Sequence, residues 1–356
     1  MGLLRLLFAL TIVIFHTGDI FGYRIFNSRL AILSFFVISG FYMAFILDRK
    51  YFKKKHSFKL FIVNRFLKIY PIYWVSLLII VLFGVVKYLF NAGGQDNFIS
   101  HFFQYSTHIN GLAMLLYSVN FITRNITLVV NSDYFFKPDM TPGYLLVQQA
   151  WTLQIELLFY VLAPFLMFFS KKHFLLLCSL YLVLAHIVLA NFISKNQIFL
   201  SAQFVYYLVF FLMGMSSYRF LFGFLEKNKA KQQIFKTIFG AAVIIILIYN
   251  YTPLSMLSVT PVFELVFSFI FALFVPIIFS VTKNFKFDRF LGELSYPLYI
   301  IHFIIVKMFV NFTLVDTNLK KLMIVTISLV ISYSLYKFIE FPIDKFRQKR
   351  VASSSE

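Results

Sequence analysis

Residues Met1–Ile20 read MGLLRLLFALTIVIFHTGDI, an apolar run with a basic residue near its start and a histidine near its end. If the run is helical, the eleven positions from Arg5 to His16 return the two side chains to within about 20° of one face, about 16 Å apart along the axis. An ionisable group inside a hydrophobic span costs on the order of 3 kcal/mol unless it faces partners or water. His16 is therefore either functional or a histidine that hydrogen-bonds between helices. Arg5 alone is typical of a positive residue that anchors the cytoplasmic end of a helix.

The composition is that of a membrane protein. Of the 356 residues, 60% are hydrophobic and only 13% are charged, and long apolar runs recur along the chain. These runs are continuous and lack the alternation of barrel strands, so the fold class is an all-α, polytopic transmembrane bundle. The net charge of +19 does not indicate nucleic acid, because the basic residues lie mainly in predicted loops on one side. Cys178 is the only cysteine, which excludes an intramolecular disulfide and a cysteine-based metal site.

Hydropathy predicts about ten spans with both termini cytoplasmic. The predicted helices are about Leu3–Thr17, Leu30–Leu47, Ile72–Phe90, Trp151–Ser170, Phe174–Phe192, Ala202–Tyr218, Ile234–Tyr249, Val262–Val281, Leu294–Phe312 and Leu322–Ile339. The basic segment Arg49–Lys68 is interpreted as a cytoplasmic loop, and this fixes the orientation. The aromatic residues Tyr70, Tyr73 and Trp74 then form an interfacial belt at the inner end of the third helix.

The remaining organisation is simple. A long outer segment, residues 91–150, contains an apolar stretch Gly111–Ile122, which we expect to be an interfacial or re-entrant helix. Residues 1–342 form one integral-membrane domain, and residues 343–356 form a short basic cytoplasmic tail. The first run has no signal-peptide cleavage site and is interpreted as a retained helix.

Among the polar residues of four predicted spans, His16 and Glu156 share a level, Ser39 and His302 lie lower, and all four meet in the centre of the bundle if these helices pack together. Counting about 1.5 Å per residue places His16 about 20 Å and Glu156 about 22 Å above the inner boundary, with Ser39 at about 15 Å and His302 at about 12 Å. A lone intramembrane glutamate needs a partner, and a histidine is the natural one. A neutral imidazole oriented by a carboxylate is a general base for a hydroxyl group.

Other interpretations of these residues stay open. Glu156 and a histidine can form a structural pair or a proton relay in a transporter. Ser39-Gly40 is also typical of close helix packing, while Tyr296 and Tyr299 are typical of belt and packing residues.

Arg65 and Lys68 lie at the inner end of the third helix at helical spacing. A basic cluster there, below a buried base, indicates a phosphate-bearing ligand from the cytoplasm. The same cluster can also serve only to set topology and contact anionic lipid headgroups. No Gly-rich phosphate loop or metal-ligand motif is present in the sequence.

The motifs together resemble the membrane acyltransferase-3 family, polytopic enzymes that O-acylate cell-surface sugars. The matching stretches are Arg5 to His16, Phe35–Phe41 (FFVISGF), Arg65–Trp74 (RFLKIYPIYW), Trp151–Glu156 (WTLQIE) with Phe159, Tyr160 and Pro164, and Ser295–His302 (SYPLYIIH). They run in order from the first to the ninth predicted helix, so the resemblance covers essentially the whole chain.

The resemblance implies an acyl-CoA donor, usually acetyl-CoA, bound from the cytoplasm, and a sugar hydroxyl acceptor presented outside. It implies that His16 is the catalytic histidine and that Arg5 belongs to its motif. Arg65 and Lys68 occupy the place of a pair that is usually two arginines, and lysine cannot make the bidentate contact of arginine. Some members carry a C-terminal esterase-like domain, and we expect none here.

We therefore expect an O-acetyltransferase of an envelope polysaccharide or its lipid-linked precursor, in the cytoplasmic (inner) membrane of a bacterium. His16 is the expected general base, or alternatively the residue that carries the acyl group. Glu156 is expected to position or polarise the site, Arg5, Arg65 and Lys68 to bind the donor, and Ser39 and His302 to be further site residues. The expected partners are acyl-CoA, the sugar acceptor and membrane lipids, with no metal and no nucleic acid. The alternatives are a proton-coupled transporter or glycolipid flippase that uses His16 and Glu156 as a relay, and a noncatalytic scaffold.

Overall fold

The protein is a bundle of long apolar helices. The computed structural model describes residues 1–23, 25–52, 57–90, 111–128, 145–169, 200–227, 261–309 and 317–353, with some positions between 171 and 181. The helices are α1 Gly2–Thr17, α2 Ser28–Ile46, α3 Ser57–Leu89, α4 Gly111–Thr127, α5 Trp151–Phe168, α6 Leu200–Ser216, α7 Pro261–Thr282, α8 Lys286–Phe309, α9 Thr317–Leu335 and α10 Phe341–Ser353. Three π turns extend α2, α6 and α9: Leu47–Tyr51, Ser217–Phe222 and Tyr336–Glu340. The described residues contain no named strand, which confirms the helical fold class.

The described part of the chain holds seven helices long and apolar enough to cross a membrane, and α1 is a shorter apolar helix of 16 residues. Most of the predicted fifth helix, Phe174–Phe192, and all of the predicted seventh, Ile234–Tyr249, lie outside the described residues. Ten spans and cytoplasmic termini therefore stay predictions.

Two predicted boundaries were wrong for the same reason. The third helix begins at Ser57 rather than at Ile72, and the ninth begins at Lys286 rather than at Leu294. Hydropathy assigns the charged residues of both segments to loops, but these residues are helical and several face an internal cavity. As a result Tyr70, Tyr73 and Trp74 lie in the middle of α3 rather than at its end.

These three aromatic residues have a specific role in the packing. Their polar atoms donate hydrogen bonds to the last carbonyls of α4: Tyr73 Oη to Asn125 at 2.6 Å, Trp74 Nε1 to Ile126 at 3.0 Å, and Tyr70 Oη to Thr127. The final carbonyls of a helix have no partner within the helix, so these bonds fix the end of α4 against α3. A helix over Gly111–Thr127 confirms the helical part of the prediction for the outer segment.

Two glycine contacts set the positions of the central helices. A Cβ atom on Gly40 would lie 2.0 Å from the carbonyl oxygen of Phe211, and one on Gly214 would lie 1.9 Å from that of Val37. The backbones of α2 and α6 therefore touch, as small residues permit in membrane bundles. The close-packing interpretation of Gly40 is confirmed.

The second contact joins α1 to α8. A Cβ atom on Gly2 would lie 1.5 Å from the carbonyl oxygen of Asp288, and one on Gly292 would lie 2.8 Å from the Cα of Gly2. The Asp288 carboxylate also accepts hydrogen bonds from the backbone N–H groups of Gly2 at 2.8 Å and Leu3 at 2.9 Å. A carboxylate here stabilises the first turn of α1, where the N–H groups lack helical partners. This end of the bundle, which also carries Arg65 and Arg347, is called the basic end below.

Candidate active site

A cavity of about 580 Å³ opens among α1, α2, α3, α5 and α8. Its walls include five of the residues singled out from the sequence, which come from four different helices: Arg5, Ser39, Arg65, Lys68 and Glu156. His16 and His302 are not among its lining residues. The structure therefore brings most of the predicted site together and separates the two histidines from it.

Arg5 and Arg65 are two of the four arginines that line the cavity. Neither Arg5 nor Arg65 has a carboxylate within ion-pair distance in the described part of the chain. The Arg65 guanidinium lies 5.9 Å from the centre of the Tyr160 ring, and its Nε atom is buried without a hydrogen-bond partner. Buried donors are normally hydrogen-bonded, so such a guanidinium is suited to receive an anion.

Lys68 differs from the two arginines. Its Nζ atom donates to the Glu293 carboxylate at 2.6 Å and also to Glu340. The side chain of Glu340 is only 3% exposed, so this is a largely buried cluster of one cation and two carboxylates. The charge of Lys68 is already balanced, and phosphate binding would have to compete with this pairing.

Glu156 and Ser39 meet in the wall of the cavity. Ser39 Oγ donates to Glu156 Oε1 at 2.9 Å, and Tyr160 Oη donates to the same oxygen. Tyr160 lies one turn along α5 from Glu156, so the helix itself supplies this contact. The prediction of a histidine partner for Glu156 was wrong, because the hydroxyl of Ser39 and the phenol of Tyr160 bind its carboxylate.

The two histidines form a pair of their own. The His16 ring is exposed and lies 5.3 Å from the His302 ring, centre to centre, and 5.0 Å from that of Phe303. His302 is fully buried. Its Nδ1 atom is 2.8 Å from the carbonyl oxygen of Tyr299 and 3.2 Å from that of Leu298. Since carbonyl oxygens only accept, Nδ1 carries the proton and Nε2, which has no described partner, presents its lone pair.

His16 makes no hydrogen bond within the described residues, so both of its ring nitrogens are available. It lies in the last turn of α1, at the end opposite to Arg5. A histidine that is exposed at one edge and backed by a rigid buried ring can approach a substrate hydroxyl from the bundle surface.

Tyr299 connects the cavity with this histidine pair. Tyr299 lines the cavity and bonds through its hydroxyl to Thr152 at 2.9 Å and to the Gln149 carbonyl oxygen at 3.0 Å. Its own backbone carbonyl holds His302. Tyr299 is thus a single residue that touches both parts of the site, whereas the sequence indicated only a belt or packing residue.

Further charged residues line the cavity and were not identified from the sequence. Glu293, Arg289 and Arg347 lie in segments interpreted as loop or tail. Their charge alone gives no signal that they face inward. Within the described residues, no three histidine, cysteine or acidic side chains lie close enough to hold a metal ion.

Comparison with known families decides the class of the protein. The family model Acyl_transf_3, described as an acyltransferase domain, matches residues 1–337. The chain belongs to the acyltransferase-3 family. No curated protein and no solved structure matches its sequence.

The resemblance noted from the motifs is thereby confirmed, and the protein is a membrane acyltransferase with many apolar helices. The match spans α1 to α9, so every residue of the predicted site lies within the acyltransferase domain. The segment after residue 337, which includes α10, lies beyond the match.

Proposed function

We propose that this acyltransferase moves an acetyl group from cytoplasmic acetyl-CoA to a sugar hydroxyl of an envelope polysaccharide or its lipid-linked precursor. The observation that carries the proposal is the cavity itself. Its walls carry Arg5 and Arg65, which have no carboxylate partner within the described residues, together with the hydrogen-bonded Ser39–Glu156 pair. The arginines suit the phosphate groups of such a donor, and the carboxylate suits the amide groups of its pantetheine arm.

The donor enters from the basic end, which faces the cytoplasm. Arg5 and Arg65 bind its phosphates through charge-assisted hydrogen bonds. Lys68 contributes less than its position in the motif implies, because Glu293 and Glu340 already neutralise it. The extended pantetheine arm then follows α1 toward His16, about 16 Å from Arg5 along the helix axis.

The acyl transfer takes place at the histidine pair. His16 removes the proton from the sugar hydroxyl as its oxygen attacks the thioester carbonyl carbon. The carbon–sulfur bond then breaks, and the CoA thiolate takes up a proton as His16 is restored. His302 keeps the ring of His16 in place by packing against it.

Glu156 acts on the donor side of Tyr299. Its carboxylate, held by Ser39 and Tyr160, places a charge in the cavity wall that orients the pantetheine amides. Tyr299 lies between this charge and His302, so it must move aside, or the arm must pass beside it, for the thioester to reach His16.

The proposed location is the cytoplasmic membrane of a bacterium. The exposed edge of His16 lies toward the end of the bundle opposite the donor, where an acceptor sugar is presented outside a bacterial cytoplasmic membrane. The transporter alternative needs a relay between His16 and Glu156, but the hydrogen bonds of Glu156 go to Ser39 and Tyr160. No contact within the described residues favours that alternative.

The test is transfer of radiolabelled acetyl from acetyl-CoA to an envelope sugar by the purified protein in proteoliposomes. Wild type should label the sugar, and His16→Ala should lose at least about 100-fold of the rate, the usual contribution of a general base. Leu7→Ala, an exposed position on the same helix, is the matched control and should transfer normally. Equal transfer by His16→Ala and wild type would remove His16 from the mechanism, and no use of any acyl-CoA by wild type would overturn the proposed donor.

A further inference from the structure

The C-terminal segment beyond the family match reaches the cavity. The helix that begins at Thr317 runs through α9, a π turn and α10 to Ser353, whereas the match ends at residue 337. α10 packs against α3, where Val351 is buried and Arg350 Nη1 donates to Asn64 Oδ1 at 3.4 Å. The segment is therefore held against the helix that carries Arg65 and Lys68.

Arg347 lines the cavity together with Asp344 of the same segment. It is only 9% exposed, which is rare for arginine without full pairing. One nitrogen, Nη1, lies 3.1 Å from Asp344 Oδ1 on the preceding turn. Its Nε atom is buried without a hydrogen-bond partner. A buried guanidinium with an unused donor leaves part of its desolvation uncompensated unless a ligand supplies an acceptor.

Arg65 repeats this pattern on the adjacent wall. Its Nε atom is also buried and unpartnered, and Arg65 and Arg347 carry like charges in the lining of the same cavity. Two like charges with unused donors, converging on one space, form an arrangement that an anion between them would stabilise.

Because Lys68 is paired, a residue from α10 is needed to provide a second cation for an anion in the cavity. Arg65 and Lys68 lie three positions apart on α3 and form the basic pair of the motif. Lys68, however, is bound by Glu293 and Glu340. Glu340 itself comes from the segment after residue 337. The segment after residue 337 therefore neutralises Lys68 through Glu340 and adds Arg347 to the cavity lining. An arginine can make a bidentate contact with phosphate.

We propose that Arg347 binds a phosphate group of the donor together with Arg65, and that the donor site is completed by the segment after residue 337. The proposal rests on the proposed function for the identity of the ligand, a coenzyme A thioester. A purely structural role for Arg347, in which it only fastens α10 through Asp344, is the competing explanation.

The experiment is binding of coenzyme A to the full-length protein in nanodiscs. Arg347→Ala should raise the Kd by about 10-fold or more, the usual effect of losing a charged hydrogen bond to phosphate. Lys349→Ala removes one positive charge from the exposed face of the same helix and should leave the Kd within about twofold of wild type. Arg65→Ala should weaken binding by a similar factor to Arg347→Ala.

Each outcome distinguishes the inference from the proposed function. If Arg347→Ala binds coenzyme A as wild type does while Arg65→Ala binds weakly, the donor site stands and the role of Arg347 is refuted. If wild type binds no coenzyme A, the proposed donor fails and the inference fails with it. If Arg347→Ala does not fold, Arg347→Gln decides: it keeps a polar side chain of moderate length but removes the positive charge, and wild-type affinity in this variant would overturn the proposal.

Discussion

Gly40→Ala tests the contact on which the arrangement of the cavity walls depends. The added Cβ would lie 2.0 Å from the Phe211 carbonyl oxygen, whereas ordinary contacts begin near 3.4 Å. The backbones of α2 and α6 would have to separate by about 1.4 Å, and backbone atoms cannot turn aside as a flexible side chain can. Overpacking of this kind costs about 1–3 kcal/mol, which exceeds the gain of up to about 1 kcal/mol that alanine brings to a helix.

The assay is the fraction of monodisperse protein left after heating in detergent, followed by size-exclusion chromatography. Gly40→Ala and Gly214→Ala should both lose thermal stability, since each meets a carbonyl oxygen at 2.0 Å or less. Gly223→Ala is the matched control, because no atom lies within 4 Å of its added Cβ. It should be as stable as wild type or slightly more so.

The expected result extends to function. Ser39 is the neighbour of Gly40, and a shift of α2 would disturb its 2.9 Å hydrogen bond to Glu156. Folded Gly40→Ala protein should therefore transfer acetyl more slowly than Gly223→Ala. Equal thermal stability of the Gly40 and Gly223 variants would refute the direct contact of the two backbones.

Three further substitutions examine the polar groups. Lys68→Ala leaves Glu293 and Glu340 without their cation and should lower the free energy of unfolding by about 3 kcal/mol, measured by thermal denaturation. The control Lys68→Arg should be close to wild type. Unchanged stability with weakened coenzyme A binding would instead make Lys68 a ligand of the donor. Glu156→Gln keeps an acceptor for Ser39 but removes the charge. The protein should therefore fold, while the rate of acetyl transfer falls by about 100-fold. Transfer at the wild-type rate would exclude an electrostatic role of Glu156. His302→Ala should lower kcat about 10-fold with little change in the KM for acetyl-CoA, because the His16 ring loses the ring that packs against it. His302→Asn keeps a donor for the backbone carbonyl of Tyr299, and its kcat should fall less. A change in KM alone would contradict the positioning role.

Hydropathy was least informative where the chain is both helical and charged. The segments before Ile72 and before Leu294 were interpreted as loops because lysine, arginine and acidic residues interrupt the apolar pattern there. In the structure these residues lie on α3 and α8, and Lys68 and Glu293 bind each other across the cavity wall. Charge in a loop and charge facing a polar cavity give the same sequence signal, so only packing separates the two.

Depth along a helix was a partial guide to the site. It grouped Ser39 with Glu156, which do hydrogen-bond, but it also grouped Glu156 with His16. Depth fixes one coordinate, while the direction in which each side chain faces depends on the rotation of its helix against its neighbours. The close approach of Gly2 to Gly292 turns α1 onto α8, which brings His16 to His302 rather than to Glu156.

The sequence by itself determined the all-α membrane fold, the acyltransferase family and the set of residues Arg5, Ser39, Arg65 and Glu156 that meet in one cavity, because long apolar runs and ordered motifs are local properties of the chain. Tertiary structure alone decided which of these groups are partners. The pairing of Lys68 with Glu293 and Glu340, and the arrival of Arg347 beside Arg65, join residues more than two hundred positions apart. Such contacts depend on how helices cross and rotate, and no local pattern of residues encodes that geometry.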